Sequence, residues 1–228
     1  MSERVGPLDV PEWRRRLSAV MSADVEGYSR LIALDDEATV AALDAARQVF
    51  RRHVAVVQGR VIDEAGDSVL AVFDTAAGAM AAALKIQQEI DPATAPSLAG
   101  GLMRFRIGLH LGDIIQKADG TVYGDGVNIA ARLQALAAPG GIVVSELLRA
   151  AVAGRTAVQF VDLGEQHLKN IAAPVRAHRV VLSGLVGGPR RRVWPTLGRR
   201  GAAVLATVVA SVLVLWWAWS QRQSDTAA

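Results

Sequence analysis

Cysteine is absent from all 228 residues, so disulfides and thiolate metal sites are excluded, which suits a reducing compartment. Histidine is scarce: His53, His110, His167 and His178 are scattered without ligand spacing, so a zinc site is not expected. Any metal would have to be held by oxygen. No secretory signal is expected at the N-terminus either. There the charged run Glu12-Trp13-Arg14-Arg15-Arg16 precedes a short apolar stretch that Asp24 interrupts.

The net charge of +3 conceals an uneven distribution. From Ser183 onward six arginines stand against one acid, Asp225, leaving 19 basic and 21 acidic residues before that point. The front of the chain is therefore slightly acidic and lacks the basic composition of a nucleic-acid-binding domain, so no nucleic-acid partner is expected.

Charge is missing altogether from Gly201 to Ser220. At about 1.5 Å per residue, a helix of that length spans roughly 30 Å, the thickness of a bilayer's hydrocarbon core. Trp216, Trp217 and Trp219 crowd one end, where interfacial indoles belong, and Arg199 and Arg200 flank the other. The expectation is one transmembrane helix over 201–220, preceded by a basic linker over 183–200 and followed by a short tail, 221–228. The arginines of the linker would hold residues 1–182 on the cytoplasmic side of an inner membrane. Ala202, Ala206 and Ala210 form a small-residue row along which two such helices could approach each other.

Within 1–182, Leu17–Ala23 is apolar with little interruption and ends at an acid, as a buried strand delivering Asp24 to an edge would. The three- and four-residue spacing of Val40, Leu43, Ala46, Phe50 and Val54 predicts a helix over 39–57. Strands are expected at 60–64 and 69–73 around the turn Ala65-Gly66-Asp67-Ser68, then a helix over 75–90 capped by Asp74. Proline and glycine predict a loop over 91–101, before strands at 104–110 and 113–116. A helix over 124–136, a strand over 142–145 and β character at 157–163 and 175–182 complete the reading. This is an α+β layer architecture with helices on one face of a sheet that includes antiparallel strands.

Five pieces of this domain carry chemistry: Ala23-Asp24-Val25-Glu26-Gly27-Tyr28-Ser29, Gly66-Asp67-Ser68, Gly124-Asp125-Gly126-Val127-Asn128, Arg132 and Lys169. Two carboxylates at strand ends can hold a hard cation. An amide and a guanidinium four residues apart share a helix face, and with an ammonium they can handle ribose and phosphates. In order and spacing these pieces resemble the class III nucleotidyl cyclases, from about Leu17 to about Val181. The resemblance implies a ferredoxin-like βαββαβ core with extra elements. It also implies conversion of ATP or GTP to a 3′,5′-cyclic nucleotide and pyrophosphate.

The same resemblance gives the residues roles. Asp24 and Asp67, with the Val25 carbonyl, would bind two Mg²⁺ or Mn²⁺ ions. Asn128 would position the ribose, Arg132 would stabilise charge on the α-phosphate in the transition state, and Lys169 would meet the terminal phosphates. Independently of the resemblance, Arg104, Arg106 and Arg176 are alternatives to Lys169 as phosphate partners. In such enzymes the acids come from one subunit and the asparagine, arginine and lysine from the other, so a head-to-tail homodimer is implied.

Base selection departs from the family pattern. Adenylate cyclases of this class typically place a lysine where this chain has Asp63 and an aspartate where it has Thr121. Many guanylate cyclases place a glutamate at the first position. An ionised Asp63 can only accept hydrogen bonds, which suits the N–H edge of guanine; the family's bacterial-looking members favour ATP. A silent nucleotide-binding or dimerisation module at the membrane is the alternative that these two residues leave open.

Overall fold

A computed structural model describes residues 13–95, 98 and 103–182, all in the first of the chain's two units, Met1–Val186. The segments read as linker, membrane span and tail lie outside the described residues. Among the described residues, no helix is long and apolar enough to cross a membrane.

The elements follow in the order β1 (Trp13–Val25), α1 (Tyr28–Leu34), α2 (Asp36–Val56), β2 (Arg60–Asp63), β3 (Val69–Phe73), α3 (Ala76–Thr94), β4 (Phe105–Lys117), β5 (Val122–Tyr123), α4 (Asp125–Ala135), β6 (Ile142–Ser145), α5 (Glu146–Val152), β7 (Gln159–Gln166) and β8 (Val175–Val181). The strands form one sheet in the order β2-β3-β1-β4-β6-β8-β7, with β5 paired to β4. Its first four strands are antiparallel and, with α2 and α3, make the expected βαββαβ unit. β6 joins β4 in parallel after the α4 crossover.

Alternation along the central strands explains how this sheet is covered. Ala19, Met21 and Ala23 of β1, Ala71 and Phe73 of β3, and Ile107 and Leu109 of β4 point into a core shared with α2 and α3, where Phe50 packs against Phe105 at 5.0 Å between ring centroids. Leu148 and Val152 of α5 join the same core. The intervening residues Val20, Val72 and Val143 are buried as well, against Ala130 and Leu133 of α4. The expectation of helices on one face is therefore corrected: α2, α3 and α5 cover one face and α4 the other. A central strand apolar on both faces needs cover on both.

Several boundaries also differ from the sequence reading. Thr75, not Asp74, caps α3, its hydroxyl accepting the Gly78 N–H at 3.0 Å. The helix runs on to Thr94 rather than stopping at 90, its last turn held by the Thr94 hydroxyl on the Ile90 carbonyl at 3.0 Å. The two strands expected at 104–116 are one, because β4 pairs with the equally long β1 residue by residue, from Trp13↔Lys117 to Val25↔Phe105. The short elements α1, β5 and α5, of seven, two and seven residues, escaped the reading because few periods fit within them.

Candidate active site

Asp24 and Arg106 are direct cross-strand partners on β1 and β4, on the sheet face that α4 covers. The Arg106 guanidinium grips both carboxylate oxygens of Asp24, Nε to Oδ1 at 2.9 Å and Nη2 to Oδ2 at 2.6 Å. The Gln134 amide, from the inner face of α4, donates to Oδ1 of the same carboxylate. Asp67 belongs to the β2–β3 turn, and Ala23 pairs with Val69, so the two acids lie at the same end of neighbouring strands. Their proximity is felt by Arg106. Its pKa is raised first by the Asp24 hydrogen bonds and then by the charges of Asp24, Glu26 and Asp67, against the cost of partial burial.

This is an oxygen donor set with a counter-charge bound to it. Mg²⁺ is typically held by one or two carboxylates completed by substrate phosphates rather than by an all-protein cage. Asp24 and Asp67 fit that pattern. Among the described residues no group of three or more acids or histidines could hold a metal unaided. Val25 ends β1 with its side chain buried on the opposite face, so it could contribute only its backbone carbonyl.

Asn128 and Arg132 fall on α4, both exposed, whereas Ala130, Leu133 and Gln134 of the same helix are buried. Neither makes a side-chain hydrogen bond or ion pair among the described residues, and neither joins Asp24 in this chain. Lys169 occupies the loop between β7 and β8, exposed between the buried Leu168 and Asn170, whose φ of 63° turns the chain sharply. Asp63 and Thr121 do come together: both line an open cleft of about 750 Å³ with Ile62, Leu70 and Val122 as apolar walls. The β4–β5 hairpin forms one side, and Arg60 of β2 reaches across to the side-chain amide oxygen Oε1 of Gln116 at 3.0 Å.

Of the other candidate phosphate partners, Arg176 is engaged by Asp162 and Arg104 lies near Asp91, which leaves Arg106 at the acids. Gln134 had not been singled out. Its signal was a polar residue four positions after Ala130, on the apolar stripe of its helix.

A βαββαβ sheet with two acids at one strand end, and an amide and guanidinium displayed on a neighbouring helix, makes this an α+β domain whose side chains have the chemistry to meet a cation and phosphates. Over residues 14–183 the chain matches the adenylate and guanylate cyclase catalytic domain, and it belongs to that family. It is 42% identical over 163 residues to the Rhizobium meliloti protein named "Putative adenylate cyclase 3", covering 71% of this chain but 28% of the relative's length. The adenylate/guanylate cyclase/hydrolase structure from Silicibacter pomeroyi is similar at 36% identity and a TM-score of 0.67, over 74% of this chain and 98% of that one. The adenylyl cyclase CyaB of P. aeruginosa shares the fold at 22% identity and a TM-score of 0.67, over 75% and 96% of the two chains.

Proposed function

We propose that residues 1–182 form a nucleotidyl cyclase domain that converts ATP to cyclic AMP and pyrophosphate, acting as a homodimer with two shared sites. The observation that carries this reading is the division of the site residues. Asp24 and Asp67 gather around Arg106, while Asn128 and Arg132 face outward on α4 with no side-chain partner among the described residues. A second chain docked head to tail would bring an exposed Asn128, Arg132 and Lys169 to the acids of the first.

In this reading Asp24 and Asp67 hold two Mg²⁺ or Mn²⁺ ions, with the Val25 carbonyl as a further ligand. Such ions lower the pKa of a bound hydroxyl and polarise the phosphoryl oxygens. Arg106 is the counter-charge of Asp24, and a cation that neutralised the acids would release its guanidinium for the triphosphate. Asn128 orients the ribose. Arg132 meets the charge that develops on the α-phosphate, where preorganised electrostatic stabilisation does most of the catalytic work. Lys169 binds the terminal phosphates.

Asp63 and Thr121 meet the base in the cleft between β2 and the β4–β5 hairpin, whose apolar walls suit a stacked purine. GTP is the second reading. It is favoured by Asp63, a carboxylate that accepts from the N–H edge of guanine and offers adenine N1 no donor. ATP is favoured by the Rhizobium relative's name. The stretch 201–220 anchors the domain to the inner membrane from its cytoplasmic side, on the strength of its composition alone.

The test is cyclic-nucleotide production by the purified chain with Mn²⁺ or Mg²⁺, offering ATP and GTP separately, against Asp24→Ala as the blank. Product above the blank is expected, and the nucleotide consumed decides the base. A folded, dimeric sample that turns over neither nucleotide would refute the enzyme and support the silent regulatory module instead.

A further inference from the structure

We infer that Arg47 is a positioning residue: from α2 it holds the backbone of the β2–β3 turn, and so sets where Asp67 presents its carboxylate. This rests on the reading that Asp67 is a metal ligand. The Arg47 guanidinium donates through Nη2 to two main-chain carbonyls of that turn, Glu64 at 2.9 Å and Gly66 at 2.6 Å. One is the carbonyl of the residue that follows Asp63, and the other is that of the residue before Asp67. One turn further along the same helix face, Arg51 forms an ion pair with the Glu64 carboxylate. Two arginines spaced i, i+4 thus grip one five-residue turn.

The turn needs that grip because it has little of its own. Between Glu64 and Ser68 its backbone is closed by one internal hydrogen bond, Ser68 N–H to the Ala65 carbonyl at 3.0 Å, around Gly66 at φ 58°. β2 is the edge of the sheet, and its pairing with β3 slips between Val61 and Asp63 just before the turn begins. The ladder therefore does not carry rigidity as far as Asp67. α2 is rigid by comparison, with Leu43, Ala46, Val49 and Phe50 locked in the main core.

Arg47 is not an ordinary surface arginine. Its side chain is 20% exposed, and the neighbouring acid Asp44 stands 3.5 Å from Nη1 while Nη2 is committed to the two carbonyls. Each such charge-assisted bond is roughly twice as strong as a neutral one. A catalytic constellation tolerates displacements of only about 0.5 Å. Loss of both bonds therefore acts on metal binding before it acts on the fold.

The experiment compares the full chain in detergent with Arg47→Ala, Arg47→Lys and Arg52→Ala, the last removing an exposed α2 arginine that pairs with Glu89 away from the turn. Two readouts are taken: Mn²⁺ binding in the presence of 3′-deoxy-ATP, followed by the paramagnetic resonance of free Mn²⁺, and hydrogen exchange of residues 64–70. Arg47→Ala should weaken Mn²⁺ binding about tenfold or more and speed exchange of the Ser68 amide by a similar factor. Arg47→Lys, which keeps one donor group for the carbonyls, should fall between, and Arg52→Ala should match wild type. Unchanged Mn²⁺ binding in a folded Arg47→Ala would overturn the inference, as would weakened binding with unchanged exchange in the turn. If Arg47→Ala does not fold, wild-type values in Arg47→Lys overturn it instead. A wild-type chain that binds Mn²⁺ yet makes no cyclic nucleotide would refute the proposed activity while leaving Arg47 judged by these two readouts; a wild-type chain that binds no Mn²⁺ would overturn both.

Discussion

Replacing Gly108 by alanine should drive α4 off the sheet. Gly108 is the fourth residue of β4, on the face that α4 covers, and a Cβ there would meet the Ala130 carbonyl oxygen at 2.2 Å and the Gln134 backbone nitrogen at 2.3 Å. A carbon approaches a carbonyl oxygen no closer than about 3.3 Å, so roughly 1 Å must be opened. Both obstacles are helix backbone, which no rotamer change can clear. A gap of about 1 Å forfeits a quarter to a half of the dispersion between facing atoms. The affected surface includes Ala130 and Leu133, both fully buried. Overpacking of this kind costs about 1–3 kcal/mol, and backbone obstacles put it near the upper end. Alanine in place of a strand glycine would otherwise gain about 0.5–1 kcal/mol, which is too little to offset the clash. At about 2–4 °C per kcal/mol for a domain of this size, a net loss of about 2 kcal/mol lowers Tm by roughly 4–8 °C. Thermal unfolding of both chains, followed by far-ultraviolet circular dichroism, measures it directly. A Gly108→Ala variant as stable as wild type, or more stable, would refute the close approach of β4 and α4. Metal-dependent activity should fall with stability, because the shift also carries Gln134 away from Asp24.

Shared sites predict complementation. Arg132→Ala should be reduced about 10²–10³-fold, the usual cost of losing one transition-state donor, Asp24→Ala should lose metal-dependent turnover, and a mixture of the two chains should recover partial activity; no recovery in proven heterodimers would count against the shared site. His110 is 5% exposed, and burial lowers its pKa from 6.5 to about 4. Between those values the unfolded chain binds the extra proton, so stability falls as pH drops through 6.5 and levels off below 4, by about 2 kcal/mol from pH 7.5 to 5. Urea unfolding at the two pH values should show His110→Gln losing about that much less than wild type, and equal losses would contradict the buried neutral ring. Asp63→Lys supplies the donor that adenine N1 lacks, and should raise the ATP-to-GTP ratio of kcat/KM about tenfold or more; an unchanged ratio would remove Asp63 from the base site.

Much of this protein was legible in one dimension because the relevant signals are local. Buried strands announce themselves as apolar runs, as in Ala19–Ala23 and Val69–Phe73. The 3.6-residue period marks α2 and α4, and glycine beside aspartate marks the turn that carries Asp67. The order and spacing of Asp24, Asp67, Asn128, Arg132 and Lys169 carried the family. What stayed hidden depends on distance through space. No local pattern says that an arginine on β4 faces an acid 82 residues earlier, that Gln134 reaches across from α4 to the same carboxylate, or that Arg47 clasps a turn 17 residues ahead. Residue type and spacing name the side chains with the chemistry to meet metal, phosphate and sugar, because that chemistry resides in each side chain alone. Which of them stand side by side is a matter of folding. Sheet register sets Arg106 opposite Asp24, and the rotation of α4 turns Gln134 inward and Asn128 and Arg132 outward.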